Sequence, residues 1–495
     1  MKTNAMRKWI EVNAGKRYGN FIGGAWRDAS NGQYYALYEC ALPDNKLGEF
    51  PDSGKDDTDA AVQAAHEAFK GWSRTSGAAR AEMLFRFADL LLENREQLAY
   101  TLSAEQGKVL NESLGEVKRA VDEARFAAGE AARMNGETLP SAMPGIRCET
   151  RRYPLGVIAA IAPWNFPVVT PVRKIAPALA YGCTVVLKPA SATPWSSVRI
   201  MELLQQAGVP NGVVNLVIGS GSGVGDPLVA NPLISGISFT GSTGLGIRIN
   251  VAAAARLTRT QLELGGKNAA LVLDYADLDS AASQIVSAAF TCTGQRCTAI
   301  SRVIVLKDQA NDLIRLLIEK MRSIRVGPAW EEAAKMGPLI NKGQYEIVKS
   351  YIEAGVREGA VLALGGERMR AEEPGYYLAP TLFTGVTREM RIAREEIFGP
   401  VLTVMEAGSP GEAAELANAT EYGLAACIFT DGLRTAGSMT EALDSGMIHV
   451  NHGTASQPHL PFGGVKNSGF GPFSIGHSNQ EFFTGLKVVY TKSGG

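Results

Sequence analysis

The chain has 495 residues, with 49 Lys plus Arg set against 50 Asp plus Glu. That length exceeds one small core and implies two or three structural units. Net charge near zero and the lack of a long basic run argue against nucleic acid as a partner. The longest apolar stretch, Val157 to Pro163, is far too short to cross a bilayer, so no membrane partner is expected. Six scattered cysteines without a spaced framework fit reduced thiols, and no apolar h-region follows Met1 to Lys8. A soluble, cytoplasmic protein is expected. His449, His452 and His459 cluster late in the chain, but no carboxylate or Cys stands at a ligand spacing, so no metal is expected.

In chain order, residues 19 to 50 alternate polar and apolar positions around the turns Gly23-Gly24 and Pro43-Asp44-Asn45, which predicts short strands. From Asp57 to about Asn135 the period becomes helical, as in Ala81 to Leu91. Around Gly136 to Arg152 that period breaks at Pro144-Gly145, and a projecting hairpin is expected. Between 154 and 275, short apolar runs (Val157–Ile161, Thr184–Leu187, Val213–Val217, Gly236–Phe239) alternate with helical segments near Val172–Tyr181 and Trp195–Ala207. Continuous apolar strands separated by helices predict a parallel sheet covered on both faces. A second alternating region runs from about 269 to 450, with Ala269–Leu273 and Arg302–Leu306 as strands. Glu481 to Tyr490 reads as a terminal strand.

Ligands of such sheets bind beyond the carboxyl ends of strands, so the words after each strand carry the chemistry. Pro163-Trp164-Asn165-Phe166-Pro167 is a rigid loop whose Asn amide could donate to an oxyanion. Lys188-Pro189-Ala190-Ser191 ends the second strand with an amine that could reach sugar hydroxyls or phosphate. Phe239-Thr240-Gly241-Ser242-Thr243-Gly244 enters a helix, where free N–H groups and the helix dipole favour pyrophosphate. The strict G-x-G-x-x-G fingerprint is absent, even in Gly219 to Gly225, and no P-loop follows Gly241. Cys297 and Glu263, 34 residues apart, could act as thiolate nucleophile and water-activating base. Cys292 lies close by; a pocket wall is the stronger reading for it and a redox partner the weaker.

Seven words occur in one order: the Pro163 to Pro167 loop, Lys188-Pro189, Phe239 to Thr243, Glu263-Leu264-Gly265-Gly266-Lys267, Gly294-Gln295-Arg296-Cys297, Glu395 to Pro400 and Pro461 to Gly464. Together they resemble the aldehyde dehydrogenase superfamily from about residue 20 to the C-terminus. The resemblance implies an α/β fold with an atypical Rossmann-type cofactor domain (1–135 and 155–264), an α/β catalytic domain (265–470) and a small β oligomerisation element (136–154 and 471–495). It implies Cys297 as nucleophile, Asn165 with the Cys297 N–H as oxyanion hole, Glu263 as general base and Lys174 as its proton partner. NAD or NADP would meet Ile161, Trp164, Lys188, Ser191, Gly221, Gly241, Ser242, Leu264, Glu396 and Phe398. A homodimer or homotetramer is implied.

NAD-specific relatives commonly carry Glu where this chain has Ser191, and loss of that carboxylate removes repulsion against a 2′-phosphate, so NADP should be accepted. Arg173 resembles the substrate-binding Arg of succinic semialdehyde dehydrogenases and suits a carboxylate. Its rival role is a subunit or domain salt bridge. Those enzymes often have a second Arg where Thr291 stands, while Gly294 to Ala299 is similar to 2-oxoglutarate semialdehyde dehydrogenases. Phe166, Thr291, Thr298 and Phe462 complete the expected substrate contacts. An anionic semialdehyde is the expected substrate; broad oxidation of neutral or aromatic aldehydes, with Arg173 structural, is the alternative. A catalytically idle binding protein is the remaining possibility.

Overall fold

The computed structural model describes residues 2–492. Two large sheets dominate it. The first has eight strands, in the order 469–470, 259–263, 234–240, 157–161, 184–188, 214–216, 20–22 and 25–27. Its five central strands are parallel, and Val157–Ile161 and Thr184–Lys188 are buried at every position. Helices on both faces explain why these strands read as unbroken apolar runs instead of alternating ones.

Strand 157–161 pairs with 184–188 on one side and with 234–240 on the other. The chain order therefore reverses at 157–161, and a crevice opens beyond the carboxyl ends of these strands. Trp164, Asn165 and Ser242 all lie in loops at that crevice. Position in the topology, not a glycine fingerprint, puts them there.

The second sheet has seven strands, ordered 361–364, 381–384, 401–407, 300–306, 268–272, 425–429 and 447–450, parallel except at the edge strand 361–364. A three-stranded sheet joins 484–492 to 146–154 and 138–139, so the hairpin expected after Gly136 is present. The terminal strand starts later than the sequence suggests. Residues 481–483 finish the helix Asn479–Phe483, because Phe482 and Phe483 bury their rings against each other at 4.8 Å. The sequence reading also passed over the helix Lys2–Asn13, which seals Met6 and Ile10 into the core.

The segment Glu263 to Asn268 links the two large sheets and runs beside Cys297. A Cβ on Gly266 would stand 2.4 Å from the Cys297 carbonyl oxygen, so no other residue fits there without displacement. Asn268, one residue into the second sheet's first strand, donates to the carbonyls of Cys297 (2.7 Å) and Ala299 (2.8 Å). The linker thus carries Glu263 and the backbone anchor of Cys297 together.

Candidate active site

Cys297 follows a turn with three successive residues in the left-handed region, Cys292 (φ 57°), Thr293 (φ 58°) and Gly294 (φ 68°). Two non-glycine residues in that region hold only where surrounding bonds over-determine them. Here Thr293 Oγ1 donates to the Gly337 carbonyl, the Gln295 amide spans Cys292 and Ile340, and Cys292 N–H donates to Glu112. The turn delivers the Cys297 thiol to a cavity of about 480 Å³. Burial pushes its pKa up to about 12, the charges of Glu263 and Glu396 adding to the effect while Arg173 and Arg296 oppose it.

Glu263 ends strand 259–263 on the opposite wall. Its Oε2 accepts from Thr240 Oγ1 at 2.8 Å, and its Oε1 accepts from Ser474 Oγ. Arg173 Nη1 lies 3.7 Å from Oε2. Behind it, Lys174 donates to Ser238 at 3.0 Å; burial lowers its pKa to about 8, against the pull of the Glu263 charge. A carboxylate and an amine with coupled charges and an ionisation near neutral pH can pass a proton between them.

Asn165 lies opposite the nucleophile turn. One Nδ2 hydrogen donates to the Gln295 carbonyl at 2.9 Å, leaving the other to face a reacting oxygen. The loop holding it is fixed from beneath. Lys108 Nζ donates to the Asn165 carbonyl (2.8 Å) and to Glu116 (2.6 Å), and stands 4.1 Å over the Phe166 ring. Glu116 in turn accepts the N–H groups of Val168 and Val169, the first turn of the helix Val169–Ala180. That carboxylate satisfies donors that helix geometry leaves open and complements the helix dipole.

The same helix carries Arg173. Its Nε and Nη2 donate to Glu123 at 3.0 and 2.8 Å, and its guanidinium stands 4.7 Å over Phe462. Arg173 is therefore salt-bridged to a neighbouring helix of the same unit, and it also lines the cavity. Arg119, four residues before Glu123 on the preceding helix, lines the cavity as well and donates to Glu123 through Nε at 3.1 Å. The sequence reading missed Arg119, Thr240, Ser474, Lys108 and Glu116. The four-residue Arg119–Glu123 spacing was its one visible signal.

At the other end of the cavity stand Ile161, Trp164, Lys188, Gly241, Ser242, Leu264, Glu396 and Phe398. The Trp164 and Phe398 rings meet edge-on at 5.3 Å. Glu396 Oε1 accepts the Gly266 N–H at 2.9 Å, while Oε2 has no protein donor among the described residues. Burial raises its pKa to about 7 and lowers that of Lys188 to about 8. A Cβ on Gly265 would fall 2.3 Å from Glu396 Oε2, so the glycine keeps that oxygen accessible. A free acceptor, a buried amine whose one acceptor among the described residues is its neighbour's carbonyl, and an aromatic pair at a switch point fit a dinucleotide.

The substrate candidates Phe166, Arg173, Thr298 and Phe462 line the cavity. Thr291 does not; its hydroxyl caps the preceding helix through Ser287. Ser191 and Gly221 also stand off the wall, Ser191 donating to the Gly219 carbonyl at 3.0 Å. Cys292 faces Gln106 behind the turn, and burial raises its pKa to about 11. It is no part of the cavity wall. Among the described residues, no group of His, Cys, Asp or Glu side chains could hold a metal ion, and no helix is long and apolar enough to cross a membrane.

A thiol, a carboxylate and an amide donor thus converge in one cavity beside residues suited to a dinucleotide. The aldehyde dehydrogenase family pattern matches residues 26–489. An alpha-ketoglutaric semialdehyde dehydrogenase of Bacillus subtilis is 40% identical over 96% of this chain and 98% of its own length. A 2,5-dioxopentanoate dehydrogenase of Saccharolobus solfataricus is 42% identical over 93% and 96%. Among solved structures, an NAD-dependent aldehyde dehydrogenase of Sinorhizobium meliloti superposes with a TM-score of 0.95 at 37% identity, covering 98% and 96% of the two chains. An NADP-dependent enzyme of E. coli gives 0.94 at 35%, covering 96% and 98%. The chain belongs to the aldehyde dehydrogenase family. It is an enzyme of that class, an aldehyde-oxidising oxidoreductase.

Proposed function

We propose that the protein oxidises a small anionic semialdehyde, of the succinic or 2-oxoglutarate type, to the carboxylic acid with NAD or NADP. One observation carries the reading: three guanidinium groups, Arg119, Arg173 and Arg296, line the cavity that holds Cys297, with Phe166 and Phe462 also on its wall. The relatives' names, alpha-ketoglutaric semialdehyde and 2,5-dioxopentanoate dehydrogenase, point the same way. Oxidation of neutral or aromatic aldehydes is the second reading, favoured by the bidentate Arg173–Glu123 pair.

In this mechanism Cys297 gives up its proton to solvent, the charges of Arg173 and Arg296 favouring the thiolate, and its sulfur adds to the aldehyde carbon. Asn165 Nδ2 and the Cys297 N–H receive the resulting oxyanion. When bound, the nicotinamide supplies the hydride acceptor. Lys188 and the free Glu396 oxygen would hold ribose hydroxyls, Gly241 and Ser242 the pyrophosphate, and Trp164, Phe398, Ile161 and Leu264 the walls of the channel. Ser191 and Gly221 would meet the adenosine end from the rim. Glu263, positioned by Thr240 and Ser474, then takes a proton from water as it attacks the thioester, and Lys174 relays that proton.

The eight-stranded sheet, with its helices, is assigned to cofactor binding, the seven-stranded sheet to catalysis, and the three-stranded sheet to oligomerisation as a dimer or tetramer. Leu486, Val488 and Tyr490 on that last sheet are exposed, which supports a partner there. A cytoplasmic location fits the six free cysteines.

The test is a substrate panel with each cofactor: succinic semialdehyde, 2-oxoglutarate semialdehyde and benzaldehyde. The acids should lead in kcat/KM, and a clear lead for benzaldehyde overturns the reading. Glu263→Gln should show a burst of NAD(P)H followed by turnover at least about a hundredfold slower. Cys297→Ala should show neither phase.

A further inference from the structure

We propose that Arg119, and not Arg173, is the clamp for the substrate carboxylate, while Arg173 positions and charges the Glu263–Cys297 pair. The inference rests on the anionic-substrate reading above and assigns its contacts. A guanidinium grips a carboxylate through one of its two-nitrogen edges. Arg173 has given its Nε–Nη2 edge to Glu123 (3.0 and 2.8 Å), and its Nη1 faces Glu263 at 3.7 Å. Its face covers Phe462 at 4.7 Å, and only 6% of the side chain is exposed. A substrate carboxylate at the Nη1–Nη2 edge that Arg173 retains would stand against the Glu263 carboxylate, which already faces Nη1 and would repel it.

Arg119 is in the opposite condition. Glu123 occupies its Nε alone, at 3.1 Å, and among the described residues neither Nη donates to a protein oxygen. A complete Nη1–Nη2 edge is left on a side chain 31% exposed in the same cavity. Glu123 acts as the shared mount, its Oε1 accepting from both arginines. The charged groups around the thiol are Arg119, Arg173, Lys174 and Arg296 against Glu123, Glu263 and Glu396. Arg173 also influences the thiol directly: its charge is among those that hold the Cys297 pKa down against burial.

The experiment compares succinic semialdehyde with butanal, the neutral aldehyde of equal chain length, in Arg119→Leu, Arg119→Lys and Arg173→Leu enzymes. Arg119→Leu should lower kcat/KM for the acid about tenfold to a hundredfold more than for butanal, mainly through KM. Arg119→Lys, which keeps the charge without the two-nitrogen edge, should recover part of that loss. Arg173→Leu should lower kcat for both aldehydes, keep their ratio, and displace the acylation pH profile upward. The proposal is overturned if Arg119→Leu keeps the wild-type preference, or if Arg173→Leu is the change that erases it. Should Arg119→Leu fail to fold, Arg119→Lys decides alone, and an unaltered charge preference there overturns the proposal. A wild-type enzyme with no preference for the acid sinks the anionic-substrate reading itself. A preference that survives loss of Arg119 sinks only the clamp.

Discussion

Lys188 and Glu396, at one end of the cavity, hold hydrogen-bonding capacity in reserve, whereas Glu263, at the other, has both oxygens engaged by the protein and Arg173 is tied to Glu123 through two of its nitrogens. Glu396 keeps a whole oxygen free beside a glycine that leaves it open. Glu263 has both oxygens occupied, by Ser474 and Thr240, with Arg173 facing it. The difference follows from what each end must do. A cofactor binds and leaves every turnover, so its contacts have to be completed by the ligand. A base and an oxyanion donor work best when they are already oriented, because reorganisation during the reaction would raise the barrier. Substitutions at the saturated end should therefore strike kcat, and those at the open end KM.

The largest break in that pattern should come from beneath the Asn165 loop. Lys108 and Glu116 are buried, bonded to each other, and between them hold the Asn165 carbonyl and the first N–H groups of the helix that carries Arg173 and Lys174. Neither lines the cavity. Lys108→Met should cut kcat about a hundredfold with little change in cofactor KM, since a displaced oxyanion donor costs roughly that much. It should also lower stability, because Glu116 is left as an uncompensated buried charge. Steady-state kinetics beside a thermal melt separates the effects: near wild-type kcat in folded Lys108→Met protein would show that the loop holds its own position.

A middle-sized effect should come from Lys174. Burial depresses its pKa to about 8, so the amine loses its proton as pH rises through 8 and can then accept one from Glu263. Deacylation in the wild type should rise toward alkaline pH with an inflection near 8. Lys174→Met should flatten that limb and lower the plateau about tenfold. Stopped-flow rates for acyl-enzyme breakdown between pH 6 and 9.5 test this, and a persistent inflection in the variant would assign the proton to another group.

The unequal legibility of the two ends has the same origin as their chemistry. Cys297, Glu263, Asn165, Lys188 and Glu396 could be read from sequence because each lies in a short word beside glycines or prolines that shape its backbone. Gly266 must be glycine to pass the Cys297 carbonyl, and that constraint leaves a visible trace. The parallel sheets were readable for a like reason, since apolar strands and helical spacing repeat locally, whereas the order of strands within them was not. Arg119, Ser474 and Lys108 were not readable: they reach the site across 178, 211 and 57 residues of sequence separation respectively, counted to Cys297, Glu263 and Asn165. Such contacts are products of packing between helices, and no local pattern encodes them. The terminal strand was misjudged in its first three residues because two adjacent phenylalanines suit a strand and a buried helix end equally well.

The smallest expected effect lies at the open end, at Ser191. Its hydroxyl donates to the Gly219 carbonyl at 3.0 Å and Tyr35 holds its carbonyl at 2.8 Å, so the residue is fixed beside the cavity and not in it. A carboxylate placed there would reach further than the hydroxyl, toward the adenosine ribose. It would accept from a 2′-hydroxyl and repel a 2′-phosphate, so both terms move selectivity in one direction. Ser191→Glu should accordingly shift the NAD over NADP ratio of kcat/KM about tenfold toward NAD, through KM and with kcat nearly constant. Initial rates at saturating aldehyde with each cofactor measure it. If kcat falls for both cofactors alike, the substitution has disturbed the Gly219 turn instead. In that event the open end is less independent of the saturated one than their hydrogen bonding implies.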